Sequence, residues 1–281
     1  MKTHYIIILL SSLACFSCSS NKGGEISPTK IPLVKPSAEE VNIGKFLSRD
    51  PKAYIYYFAQ TDHKFGIISS QDSPSDPPCV FAYVDSNSME APSTKTVRAN
   101  DVNMTINGVS LNSDYPTKSK EGLEIKSLFG QVVSFGVDVQ TKSVSEESQL
   151  YVPSIITIHS PYIDKENGQL PLCDVSNFIL KWNEDTMNDN GVIVQIEWGG
   201  VVLFGGQRDD SHVSISKIFP DTGQAKLDAE MFEGIPDTAL CFLTVLRGNV
   251  DAMIVDGQSY KIGGATHETM QLVLIRNTKR I

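Results

Sequence analysis

The chain has 281 residues, 41% hydrophobic and 20% charged, with 24 Lys and Arg against 33 Asp and Glu and a net charge of −9. Its length leaves room for two domains of ordinary size or one large all-β domain, and two is the expectation. The acidic balance speaks against nucleic acid as a partner, which demands basic grooves, and against electrostatic adhesion to anionic lipid.

The N-terminus opens with Lys2, an apolar run over 5–10 and small residues leading to Cys15 and Cys18. A run this short cannot cross a bilayer of roughly 30 Å as a helix, so it reads as the hydrophobic region of a secretory signal and not as a membrane anchor. Ala14 before Cys15, or Ser17 before Cys18, resembles a bacterial lipobox, in which cleavage leaves a diacylated cysteine at the new terminus. Leu13-Ala14-Cys15 fits the general form. Phe16-Ser17-Cys18, followed by Ser19-Ser20-Asn21, resembles lipoproteins of Bacteroidetes and gives a more ordinary signal length. Cys18 is the expected acylation site and Cys15 the alternative, with 1–17 as signal and 281 − 17 = 264 residues remaining. Removing Lys2 leaves 23 basic against 33 acidic residues, a balance of −10. Acyl chains gain about 0.8 kcal/mol per buried methylene and hold a soluble body at a membrane it need not touch. The address expected is the outer membrane, lipid-anchored, on its periplasmic face or at the cell surface.

Residues 18–36, rich in Ser, Gly, Pro and Lys, have the composition of a flexible tether. Ser37-Ala38-Glu39-Glu40 has capping-box spacing and predicts a short helix to about residue 47. From residue 53, short apolar runs alternate with clusters of Gly, Pro, Asn, Asp and Ser, the rhythm of strands joined by turns. A first β-domain over 37–140 would use strands at 53–59, 65–69, 79–84, 102–106 and 131–139. Val133, Phe135, Val137 and Val139 share one face of the last, and Asn107-Gly108 predicts a tight turn with positive φ. The aromatic run at 53–59 offers Tyr54, Tyr56 and Tyr57 as a binding surface if its strand lies at an edge; otherwise its hydroxyls simply reach water. Residues 140–149 lack a large apolar residue and are the expected boundary.

A second β-domain over 150–281 would use strands at 152–158, 177–182, 191–198, 201–204, 212–215, 225–227, 239–246, 259–262 and 270–275. Short antiparallel strands without helical crossovers suit a sandwich and speak against a parallel α/β sheet. Strand parity puts Trp182 with Phe178 and Leu180, and Trp198 with Val192, Val194 and Ile196. Both indoles are therefore expected in the core and not on a sugar-stacking surface. Thr186 to Glu197 nearly matches an EF-hand calcium loop, but Thr stands at the first place and only Glu197 supplies a carboxylate in register. A turn near Asn190-Gly191 explains the same letters. Gly199-Gly200 and Gly205-Gly206 read as turns flanking a short strand.

No signature of an enzyme, metal site or cofactor stands out. His63, His159, His212 and His267 are scattered singly, and neither GxSxG nor a phosphate-cradling glycine loop occurs. Asp209-Asp210 reads as loop charge, since glycosidase carboxylates must converge across a cleft. Cys79, Cys173 and Cys241 are odd in number and lack CxxC spacing; a Cys173–Cys241 disulfide is left open. Asp185-Thr186-Met187 and Asp237-Thr238-Ala239 resemble short O-glycosylation motifs of exported Bacteroidetes proteins.

The chain as a whole resembles Bacteroidetes lipoproteins built as acylated cysteine, polar tether and one or two immunoglobulin-like or fibronectin-like β-domains. The Trp182-Asn183-Glu184-Asp185 hairpin and the strand at 239–246 carry most of that likeness, while Leu240 stands where a fibronectin-type tyrosine corner would place Tyr. The resemblance implies an all-β protein with two β-sandwich domains, acting as a non-enzymatic binding or assembly module on a protein or glycan partner. The alternatives are a fimbrillin-like pilin, with Arg49 placed for processing and polymerisation by strand donation, and a glycan-binding accessory of a polysaccharide-uptake system.

Overall fold

A computed structural model describes residues 63–70, 77–84, 101–111, 118–162, 169–203 and 211–276. The fold is all-β: fourteen strands and a few 3-10 turns make up its regular structure among these residues. Arg49, the tyrosines of 53–59, the helix expected at 37–47 and both candidate acylated cysteines lie outside the described residues. The chain divides into two compact units that are not sequential. The described residues of the first lie within 63–69, 77–153 and 249–265; those of the second are Ser70 and those within 154–248 and 266–276.

In the first unit, β3 (Val102–Ile106), β4 (Val109–Leu111), β5 (Gln131–Val139) and β6 (Val144–Val152) form an antiparallel sheet in the order β4-β3-β5-β6. The alternation expected over 131–139 is realised: Val133, Phe135, Val137 and Val139 are buried together with Met104 and Ile106. Asn107 and Gly108 take φ of 48° and 77°, the paired positive values of a tight hairpin turn. The Asn107 side chain strengthens it by accepting from the Ser134 N–H at 2.9 Å. β1 (His63–Ser70) and β2 (Cys79–Val84) pair antiparallel in the same unit. Gly66 approaches the Gly263 carbonyl so closely that a Cβ there would collide.

The second unit is built on β9 (Ile179–Trp182), β10 (Val192–Val202), β11 (Val213–Phe219) and the base of a long hairpin, β13 (Ala239–Val255) and β14 (Gln258–Ile275). β10 pairs antiparallel with β11 on one side and β13 on the other. β7 (Ile158–Ser160) and β12 (Gln224–Lys226) flank β9, and β8 (Leu172–Asp174) pairs with β14 in parallel. One apolar cluster fills this unit, including Phe178, Leu180, Trp182, Val194, Ile196, Trp198, Phe232 and Leu243. Each tryptophan is 3% exposed, as strand parity requires.

Several expected boundaries are displaced, each for a local reason. The break expected at 140–149 is a hairpin leading into β6, whose exposed Ser145, Glu146 and Glu147 give an edge strand its polarity. The strand expected at 152–158 is an extended connection: Ile156 is buried, yet its N–H donates to Thr266 Oγ1 at 3.0 Å and not to a ladder. Gly199-Gly200 does not end a strand. β10 runs through it with a register shift, the five residues from Trp198 to Val202 opposing the three from Cys241 to Ala239. Trp198 Nε1 donates to the Val201 carbonyl at 2.9 Å across this bulge. The strands expected at 239–246, 259–262 and 270–275 belong to one hairpin that turns at Asp256-Gly257.

Candidate functional site

The residues with the most chemical potential in the second unit are spent on structure. Arg247, 1% exposed, sits where the apolar face of β13 meets the connection at 154–155. Its Nη1 donates to Asp221 Oδ2 at 2.9 Å and to the Asn183 carbonyl at 3.0 Å, and its Nε to the Ser154 carbonyl at 2.8 Å. Asp221 also accepts from Trp182 Nε1 at 2.8 Å and Asn188 Nδ2 at 2.9 Å. A carboxylate with three donors and a guanidinium pinned to carbonyls is fully compensated, which is the condition under which a buried ion pair is tolerated.

The near-match to a calcium loop dissolves into the same network. Asp185 accepts from the N–H groups of Ser154 at 2.7 Å and Met187 at 3.1 Å, closing a turn, and Asn188 Nδ2 donates to the Gly191 carbonyl at 2.8 Å. Gly191, at φ 76°, lies against the Phe219 carbonyl, where a Cβ would come within 2.5 Å. Among the described residues no three His, Cys, Asp or Glu side chains converge as metal ligands would. His212 is exposed, with Nε2 3.9 Å from Glu197.

Cys79, Cys173 and Cys241 are free thiols buried in the apolar interior. Burial pushes Cys173 and Cys241 up to about 12. Cys173 pairs with Leu274 on one side of β14 while β13, carrying Cys241, lies on the other. Two strand spacings are roughly 9–10 Å, beyond the Cα separation a disulfide spans, so the bridge left open by the sequence does not form. Of the two Asp-Thr motifs, Thr186 is exposed, whereas Thr238 donates through Oγ1 to the Leu203 carbonyl at 3.1 Å and precedes the fully buried Ala239.

What remains open is an edge. β11 ends its sheet: its register is filled by β10 from Val213 opposite Trp198 to Phe219 opposite Val192, and its other side has no backbone partner among the described residues. Opposed residues of an antiparallel pair share a face. Val213, Ile215, Lys217 and Phe219 therefore line the inner face with the indole of Trp198, while Ser214, Ser216 and Ile218 line the outer. Val213, Ile215 and Phe219 pack on the core yet stay partly exposed. Lys217 Nζ reaches Asp228 Oδ2 at 2.5 Å, which raises the lysine's pKa and lowers the aspartate's, and lies 6.0 Å from the Phe219 ring. At the Val213 end a depression of about 460 Å³ opens between Trp198, Val202, Val213, Ile235 and Pro236. The letters of 212–215 predict a strand but do not mark it as terminal, because strand order is a property of the ladder.

No family model, no curated protein and no solved structure matches this chain.

Proposed function

We propose that the protein is a lipid-anchored, non-enzymatic assembly module of the cell envelope that engages polypeptide through the free edge of β11. The observation that carries this reading is a seven-residue strand, Val213–Phe219, with Val213, Ile215 and Phe219 beside Lys217 on its inner side and one row of backbone groups unpaired among the described residues. Such an edge accepts an extended segment by adding a strand, with backbone hydrogen bonds for affinity and alternate side-chain positions for selectivity. The anchor is the acylated Cys18, with Cys15 the alternative, carried on the 18–36 tether at the outer membrane. The sheets of each unit are read as immunoglobulin-like or fibronectin-like sandwiches.

The same edge also supports a fimbrillin-like subunit, assembled by strand addition after processing at Arg49. Heat-resistant oligomer ladders on a gel would favour that reading. A glycan platform has weaker support, because both indoles are 3% exposed.

The test has two arms. Radiolabelled palmitate is expected to enter the wild-type chain and not the Cys18→Ala variant. On native gels of solubilised envelope, a complex containing the wild type is expected to be lost in Ser216→Lys, which sets a charge on the edge without touching the anchor. Lost palmitate labelling in wild type would remove the anchor; an unchanged complex in Ser216→Lys would remove the edge.

A further inference from the structure

We infer that the strand added to β11 is β11 of a second copy of this chain, so that two molecules join edge to edge across a two-fold axis. The inference rests on the edge reading above and names its partner. A two-fold interface must be self-complementary, since residue i meets residue j and residue j meets residue i.

Antiparallel pairing places same-face residues opposite one another, so a symmetric pair of strands is centred on a residue that meets its own counterpart. The register that engages the whole of Val213–Phe219 is centred on Ser216. It sets Val213 against Phe219 of the second copy and Ile215 against Lys217, with each contact repeated by the symmetry. The inner row thereby gains a β-branched–aromatic pair at both ends, a favourable cross-strand combination. Val213, Ile215 and Phe219, which pack against the core while partly exposed, would gain cover from the same three residues of the other molecule.

Charge points the same way. β11 carries one ionised side chain, and the centred register keeps Lys217 away from its own counterpart and against Ile215, while Asp228 already compensates it at 2.5 Å. Ser216 meeting Ser216 costs no repulsion. Two other described edges are of comparable length: β2, whose consecutive Cys79 and Val80 and also Ala82 are already buried, so that a second copy would add little cover, and β6, whose exposed Glu146 and Glu147 near its middle would crowd four carboxylates if two copies paired there. The remaining edge strands β4, β7, β8 and β12 have three residues each, too few to hold two molecules by backbone bonds alone.

The test uses the full chain in detergent. Sedimentation velocity at about 100 µM is expected to give a dimer of twice the monomer mass that dissociates on dilution. Ser216→Lys, which opposes two ammonium groups at the axis, is expected to weaken the dimer at least about tenfold, whereas Ser216→Thr keeps it. Ser216→Cys is expected to oxidise to a covalent dimer, since its counterpart lies directly opposite; Ser145→Cys on β6, the more exposed of the two positions, is expected to stay monomeric. Should Ser216→Lys fail to fold, the two cysteine variants decide. A chain monomeric at that concentration, or a dimer indifferent to Ser216→Lys and not linked through residue 216, overturns the second copy. If the chain is monomeric but the native-gel complex still depends on Ser216, the partner is a different polypeptide and the edge reading stands; if neither association exists, both readings fall.

Discussion

Arg247 shows how much of one unit hangs on a single side chain. Its guanidinium satisfies Asp221 and the carbonyls of Ser154 and Asn183, none near it in sequence. Arg247→Met leaves the Asp221 carboxylate buried without its cation and is expected to cost about 3–5 kcal/mol. Urea unfolding followed by tryptophan emission reads this directly, since Trp182 and Trp198 both lie in the same unit as Arg247. The double replacement Arg247→Met with Asp221→Leu is expected to recover little of the loss, because Trp182 Nε1 and Asn188 Nδ2 would then have lost their shared acceptor. The indoles themselves were legible from parity. Their polar partner was not, because Asp221 sits in a Pro-Asp-Thr-Gly turn that reads as ordinary solvated punctuation. The cysteines give a prediction with a definite sign. Folded Cys173 and Cys241 titrate near 12 against 9.0 for a free thiol, so the unfolded chain loses protons first as pH rises. Their contribution is complete below about pH 9 and drains between 9 and 12. A thiol reagent at pH 8 is expected to stay unreactive until urea opens the fold.

At the scale of elements, glycines separate what the sequence could say from what it could not. Asn107-Gly108 marks a turn in both sequence and structure, because its positive φ values are a local demand, and Asp256-Gly257 takes the same paired positive φ. Gly263-Gly264 and Gly248-Asn249 look like the same punctuation yet lie inside β14 and β13. There the cause is tertiary. A Cβ on Gly264 would stand 2.7 Å from both methyls of Val152, and Asn249 Nδ2 donates to the Tyr151 carbonyl at 2.8 Å. The sequence pattern therefore divides the long hairpin into three shorter strands. Two alanine substitutions test the distinction by thermal melting. Gly264→Ala is expected to cost about 1–3 kcal/mol through overpacking. Gly257→Ala meets nothing within 4 Å and is expected to lose only the strain of φ +77°, about 1 kcal/mol.

For the whole molecule, the consequence of that hairpin is a first unit that the chain cannot finish in one pass. A sequential division near residue 150 gives the first unit all its strands up to Val152 and withholds 249–265. The withheld piece carries Val250, Met253, Val255, Tyr260, Ile262 and Ala265, all buried. A fragment ending at residue 153 therefore exposes the apolar faces those side chains cover, and a domain of that size has little stability in reserve. Fragment 37–153 is expected to show no cooperative melt by circular dichroism. Joining 249–265 to its end through a short Gly-Ser linker is expected to restore one, since Asn249 already reaches the carbonyl of Tyr151. Fragment 150–281 retains every described residue of the second unit except Ser70 and is expected to unfold cooperatively, with blue-shifted tryptophan emission. A cooperative transition in unlinked 37–153 would mean that the hairpin tip is dispensable, and the discontinuous division would then be wrong.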